Sequence, residues 1–227
     1  MLKKYEELPK KMQNKEVKKY YDILKKKKIS LFLKRVFDII CSIILLIFLL
    51  PIFIILAIWI KIDSKGPIFY RQERITRYGK KFRIFKFRTM IVDADKKGTL
   101  VTVNNDSRIT KVGNKIRKCR LDEIPQLINV LKGEMSFVGT RPEVMKYVDK
   151  YSKEMLATLL MPAGITSLAS IEYKDEDEII EKYKKKGEKV DNIYIKRILP
   201  KKMKYNLEYI RKFNILEDIK LCIKTVI

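Results

Sequence analysis

Ile39 to Ile60 reads IICSIILLIFLLPIFIILAIWI, 22 residues without a charge, interrupted only by Cys41, Ser42 and Pro51. A helix buried in a soluble core seldom stays apolar all round for this length, whereas about 20 such residues match the hydrocarbon thickness of a bilayer. The run starts late, is too long and lacks a small-residue cleavage site, so it does not read as a cleaved signal peptide. Membrane insertion is therefore expected, against a buried core helix. Pro51 falls near the middle, where it removes a helical hydrogen bond and clashes with the preceding turn. Each half is then about 11 residues, or roughly 16 Å, too short to cross alone.

Charge bears on how the run sits. Cytoplasmic flanks collect Lys and Arg. Residues 1–35 carry thirteen of them against four acids, with Lys25 to Lys28, Lys34 and Arg35 nearest the run. Lys61 to Arg88 adds ten more against only Asp63 and Glu73. Both flanks prefer the cytoplasmic side. The expected form over residues 34–61 is a re-entrant helix that breaks at Pro51 and returns to the face it entered. An ordinary kinked span is the alternative, because Pro is tolerated in membrane helices.

The whole chain of 227 residues has 51 Lys and Arg against 27 Asp and Glu, a net charge of +24, and no histidine. That excludes Ser-His and Cys-His catalysis and any His-ligated metal. Cys41, Cys119 and Cys222 are too far apart for a thiolate zinc spacing or a readable disulfide framework. Chemistry is left to carboxylates, cations, backbone and a hard metal. The length suits one compact domain with attachments. Residues 1–33 read as a basic extension forming an interfacial helix, and 62–195 as the globular domain. Residues 196–227 read as a basic amphipathic segment, with Met203, Leu207, Ile210, Ile219, Ile223 and Val226 at partly helical spacing. That fits a helix lying on an anionic leaflet or one packed into the core. The fold class expected is α+β, mostly helical.

Pro67 to Ile75 and Lys81 to Thr89 flank Arg77-Tyr78-Gly79-Lys80 and read as a β-hairpin. Period two puts Lys86 and Arg88 on one face, able to hold a phosphate or simply solvated, with Phe85 and Phe87 on the other. Residues 90–113 read as a loop containing Asn104-Asn105-Asp106, and Lys111 to Lys118 as a short basic helix. Leu121, Ile124, Leu127, Ile128 and Leu131 then recur at helical spacing up to Gly133, a stop residue. Pro125 is tolerable only in a first turn, which places Asp122 and Glu123 at the helix start. An Asp-Glu pair there reads as a cap with a dipole-complementing neighbour. That is the commoner case for an isolated pair, and the same facts also allow a carboxylate of depressed pKa beside a phosphate-attracting helix end. Asp175-Glu176-Asp177-Glu178 is the one acidic cluster and reads as another helix start rather than a metal site.

Lys34-Arg35-Val-Phe-Asp38, Pro51, Phe85-Lys-Phe-Arg-Thr-Met90, Leu121-Asp-Glu-Ile-Pro-Gln-Leu-Ile-Asn-Val-Leu-Lys-Gly-Glu-Met-Ser-Phe-Val-Gly139, Arg141-Pro142 and Ala163-Gly-Ile-Thr166 occur in one order. Together they resemble the bacterial sugar transferase family, monotopic polyprenyl-phosphate phosphoglycosyl transferases, from about Lys34 onward. The resemblance implies a re-entrant membrane helix and a catalytic domain on the cytoplasmic face of the bacterial inner membrane. It implies transfer of a sugar-1-phosphate from a UDP-sugar to polyprenyl (undecaprenyl) phosphate, through a sugar-phosphate carried on Asp122, with release of UMP. Glu123 is implied as a Mg²⁺ ligand, Arg141 and Pro142 as nucleotide contacts, and Lys86 and Arg88 as phosphate neutralisers. The partners implied are the UDP-sugar, the polyprenyl phosphate, an anionic inner leaflet and downstream glycosyltransferases of glycan assembly, and no nucleic acid.

Three departures stand out: Thr140-Arg141-Pro142 replaces the family's Pro-Arg-Pro, Leu50-Pro51 its Ser-Pro, and Pro162-Ala163-Gly-Ile-Thr-Ser-Leu168 its Pro-Gly-Ile-Thr-Gly-Trp. None touches Asp122-Glu123. A membrane-tethered basic protein that binds nucleic acid or anionic lipid without catalysis shares the charge, as does an inactive scaffold of the same fold.

Overall fold

In a computed structural model, which describes residues 2–94, 106–173 and 175–226, helix α1 (Lys15–Lys26) precedes the apolar run. The run itself forms α2 (Lys28–Phe48) and α3 (Leu50–Asp63), bent by 61°. No single helix among the described residues is long and apolar enough to cross a membrane. The bend is at Leu49, and Pro51 occupies the first turn of α3, where it lacks no helical partner and its ring blocks continuation of α2.

The α2–α3 pair is inside out. Ile40, Ile44, Ile47, Phe48, Ile54, Ile55 and Ile58 face outward, Phe48 at 82% exposure. The residues of α2 turned inward are Lys34, Asp38 and Ser42, spaced four apart on one stripe. Lys34 Nζ donates to Val138 O at 2.8 Å and to Asp218 Oδ2 at 2.6 Å. Asp38 Oδ1 accepts from Ser136 Oγ at 3.0 Å and Phe137 N at 3.1 Å.

After α3 come β1 (Phe69–Ile75) and β2 (Lys81–Phe87), the predicted hairpin, with Tyr78 and Gly79 both at positive φ in its turn. Then follow α4 (Lys111–Lys118), α5 (Gln126–Lys132) and β3 (Met135–Val138). Gly133 ends α5 at φ 79°, as its place in the sequence predicts. Beyond β3 lie α6 (Met145–Val148), β4 (Ala163–Thr166), α7 (Leu168–Glu172) and α8 (Glu176–Lys184). Finally α9 (Val190–Ile193) runs through a π-turn into α10 (Leu199–Lys212), followed by α11 (Ile215–Val226). The chain is α+β and mostly helical, with two small two-stranded sheets. The second, a parallel pairing of β3 with β4, is not foreseen in the sequence. Of the loop expected over 90–113, Asn104-Asn105 lies outside the described residues; Met90 bridges Ile109, and the Thr110 side chain caps α4.

One terminal expectation is corrected and one alternative is decided. The extension is not a separate interfacial helix: Val17, Tyr20, Tyr21 and Leu24, at one-face spacing on α1, are buried against Leu160, Ile210 and Phe213. Of the two readings of the C-terminal segment, α10 takes the core-packed one, burying Met203, Leu207 and Ile210. In α11, by contrast, Leu216, Ile219 and Ile223 are exposed, while Leu221 and Asp218 turn inward. The acids of 175–178 do start a helix, α8, and Glu176 pairs with Lys202 at 2.8 Å.

The Lys34–Asp218 pair has side chains only 4% and 2% exposed, so removing one partner strands a buried charge. Lys34→Met is expected to cost about 3–5 kcal/mol. Adding Asp218→Leu should recover more than half of it, read as apparent Tm of the detergent-solubilised protein.

Candidate active site

Asp122 and Glu123 lie in a 3₁₀ turn, Leu121–Glu123, entered from Arg120 in the left-handed region (φ 53°) and left through Ile124 and Pro125 into α5. The long motif thus forms a turn and a seven-residue helix rather than one helix, and the carboxylates precede α5 instead of occupying its first turn. The expected helix-end stabilisation is accordingly absent. Burial pushes the Asp122 carboxyl up, as does the Glu123 charge, and the nearby Lys86 offsets them only in part. That is a correction of the depressed pKa expected for it.

Glu123 is treated oppositely. Lys86 Nζ donates to its Oε1 at 2.7 Å and Arg141 Nη2 to the same oxygen at 2.8 Å. Burial alone would raise this carboxyl, but the Arg141 and Lys86 cations together hold it far below the usual glutamate range. Glu123 in turn holds the Arg141 guanidinium charged more firmly than usual. Burial, helped by Arg141, draws the Lys86 ammonium below its ordinary value against the pull of Glu123. Two adjacent carboxylates are therefore differentiated: one anchored and anionic, the other buried and less compensated, hence more basic.

The structure brings Lys86, Asp122, Glu123 and Arg141 together, and Pro142 adjoins them in the chain. Arg88 is directed elsewhere. It follows the end of β2, and its guanidinium donates to Ser64 O at 2.6 Å and Lys65 O at 2.9 Å, closing the C-terminal end of α3. The expectation that Arg88 stands beside Lys86 as a phosphate ligand is corrected, because β2 stops at Phe87 and the strand alternation stops with it. Pro51 is at the α2–α3 bend, not in the site. Among the described residues no group of three or more Asp, Glu or Cys side chains is placed to hold a metal ion. A hard cation would find the free Oε2 of Glu123 and the Asp122 carboxylate, and would need water or substrate oxygens to complete its shell.

A family model for bacterial sugar transferases matches residues 29–227. The UDP-glucose:undecaprenyl-phosphate glucose-1-phosphate transferase of Escherichia coli (strain K12) is 35% identical over 175 residues, 75% of this chain and 34% of that protein. The UDP-N-acetylgalactosamine-undecaprenyl-phosphate N-acetylgalactosaminephosphotransferase of Aeromonas hydrophila is 33% identical over 75% of this chain and 37% of its own length. A putative undecaprenyl-phosphate N-acetylgalactosaminyl 1-phosphate transferase of Bacillus subtilis (strain 168) is 43% identical over 44% of this chain and 55% of its own. The chain spans about a third of the length of the first two relatives.

Sequence reasoning missed the residues that hold this cluster in place. Asn129, fully buried, accepts from Phe85 N at 2.8 Å and donates to Arg83 O at 3.0 Å, fastening α5 to β2 one residue from Lys86. Its Nδ2 also donates to Glu134 Oε2 at 2.6 Å. Arg74 Nη1 donates to Pro142 O at 3.1 Å, and Ile75 N to Glu143 O at 2.9 Å, so β1 clamps the chain next to Arg141. The Tyr194 hydroxyl donates to the Glu143 carboxylate. Below, Gly139 and Gly164 cross so closely that a Cβ on Gly164 would lie 2.2 Å from Gly139 N, which lets Thr140 continue the β3–β4 pairing. An uncharged amide inside an apolar helix pattern was the one available signal, for Asn129. Asn129→Ala leaves the part-buried Phe85 amide without this acceptor, while the Arg83 carbonyl keeps its bond from Arg71 Nη2 at 3.1 Å, and the change is expected to cost about 2–4 kcal/mol. Thermal unfolding should register this as an apparent Tm lower by roughly 5–15 °C.

Proposed function

The chain belongs to the bacterial sugar transferase family, and from that premise we propose that it moves a sugar-1-phosphate from a UDP-sugar to a polyprenyl phosphate, at the cytoplasmic face of a membrane. The carrying observation is the division of labour between the two carboxylates: Glu123 is tied to Lys86 and Arg141, while among the described residues no cation is hydrogen-bonded to Asp122 in the same way.

In the first step an Asp122 carboxylate oxygen attacks the β-phosphorus of the UDP-sugar. A bond from that oxygen to phosphorus forms, the bond from phosphorus to the bridging oxygen breaks, and UMP leaves with the electron pair. In the second step a phosphate oxygen of the polyprenyl phosphate attacks the same phosphorus. The Asp122 carboxylate leaves, giving a polyprenyl diphosphate-sugar and the free enzyme. A carboxylate raised in pKa by burial is a better nucleophile once ionised than an ordinary aspartate. Lys86 and Arg141 are positioned to exchange part of their contact with Glu123 for the oxygens of an incoming diphosphate, where their charge offsets that developing on phosphorus. Mg²⁺, held by Glu123 with Asp122 beside it, would supply further neutralisation of the phosphoryl oxygens when bound.

The α2–α3 pair supports a re-entrant anchor. Its outward face is apolar, its bend is 61°, and basic residues flank both ends. Both chain ends of the pair then lie on one side, and the carboxylates stay at headgroup level, where a long-chain phosphate presents its head.

Asp122→Asn should lower transfer of labelled sugar phosphate from UDP-sugar to the protein by more than about 10³-fold while leaving membrane association intact. Full labelling in that variant would sink the mechanism, and a panel of UDP-sugars scored for UMP release identifies the donor. Single cysteines placed before Ile39 and after Ile60, in a chain freed of its own three, should label from the same side of sealed vesicles. Labelling from opposite sides means a simple span.

A further inference from the structure

Lys111, Lys115 and Lys118 of α4 are exposed and fall at i, i+4 and i+7, so they share one face, to the side of the buried Val112 and Ile116. Cations in a last turn complement the helix dipole, which accounts for Lys115 and Lys118. Lys111 is in the first turn, where a cation opposes that dipole, so helix energetics do not account for the stripe. No carboxylate among the described residues forms a salt bridge with any of the three.

The stripe joins two features already described. Along it, the Lys115 ammonium lies over the Trp59 ring, 5.6 Å from its centroid, on the α3 flank where Ile55, Ile58 and Ile62 are exposed. Beside it, Val112 and Ile116 pack with Leu56 and Ile60 of α3, which fixes the two helices together. At its far end α4 passes through Cys119 and Arg120 directly into the turn that carries Asp122. Arg117 of the same last turn acts electrostatically on Asp122. From Lys111 to Lys118 is roughly 10 Å at helical rise.

Resting on the transfer reading above, we infer that this face of α4 admits the polyprenyl phosphate acceptor. The isoprenoid chain lies along the exposed side chains of α3 beside Trp59, and the phosphate passes along the three lysines towards the phosphorus carried on Asp122. A phosphate head on a long apolar chain matches a cationic stripe that begins at an apolar surface and ends at a nucleophile. Lysine suits the task, since a flexible, hydrated point charge holds a phosphate without fixing its orientation and lets it move on.

The test is steady-state kinetics of the full chain in neutral detergent micelles with Lys111→Gln, Lys115→Gln and Lys118→Gln combined. The expected result is a KM for polyprenyl phosphate raised about 10–100-fold, with the KM for UDP-sugar within about twofold of the parent. Replacing the same three by Arg should restore the acceptor KM. An unchanged acceptor KM overturns the inference, as does a rise confined to the UDP-sugar. So does a variant whose sole defect is weaker sedimentation with vesicles containing anionic phospholipid, since the stripe is then a general headgroup contact. A parent protein that takes no label from UDP-sugar alone sinks the transfer reading and this inference together, whereas normal labelling with an unaltered acceptor KM sinks this inference only.

Discussion

Lys34, Arg35 and Asp38 of α2 connect the apolar helix pair to three parts of the body at once, β3, α11 and α5. Lys34 reaches the end of β3 and Asp218 of α11, and Asp38 takes the Ser136 hydroxyl and the Phe137 amide within β3. Between them Arg35 donates to Val130 O at 2.7 Å and Leu131 O at 2.8 Å, carbonyls in the last turn of α5, the first of which also accepts from Gly133 N. One helix turn thus sets the position of α5, and α5 carries the carboxylate turn at its other end. A helix whose outer surface is wholly apolar has no hydrophobic reason to hold a body in a fixed orientation if that surface rests in lipid. Directional, buried polar contacts supply the orientation that area burial lacks.

The same economy of charge governs the site. A net charge of +24 is dispersed over surfaces with different roles, and in the site Lys86 and Arg141 converge on one carboxylate oxygen. The neighbouring Asp122 is made more basic by burial and by the Glu123 charge, which Lys86 offsets only in part. Adjacent residues in a tight turn point their side chains differently, which is how one dipeptide contains both an anchored anion and a prospective nucleophile. The absence of histidine is consistent with this arrangement, since a carboxylate attacking phosphorus needs no imidazole base.

Much of the frame was legible in the chain. The length of the uncharged run, Pro51 within it and the basic flanks specify a bent apolar helix pair, because charge and proline act locally. The hairpin was legible from strand alternation around Tyr78-Gly79, and the Gly133 stop from its need for positive φ. Local rules failed where a competing contact won. Arg88 looked like a partner of Lys86 but caps α3, since β2 ends before it. The basic N-terminal extension looked like a surface helix, yet the apolar stripe of α1 is in the core, and in α10 the core-packed alternative won.

The sequence by itself determined which residues carry charge, where the backbone must break or turn, and that Asp122-Glu123 is an acidic dipeptide just ahead of Pro125 and the helix it opens. Only the tertiary structure decided that Glu123 is anchored and Asp122 is not. That outcome depends on Lys86 from a strand and Arg141 from a loop meeting a turn 37 and 18 residues away in the chain. Electrostatic shifts of this kind depend on distance and burial in space, and neither quantity is encoded in spacing along the chain.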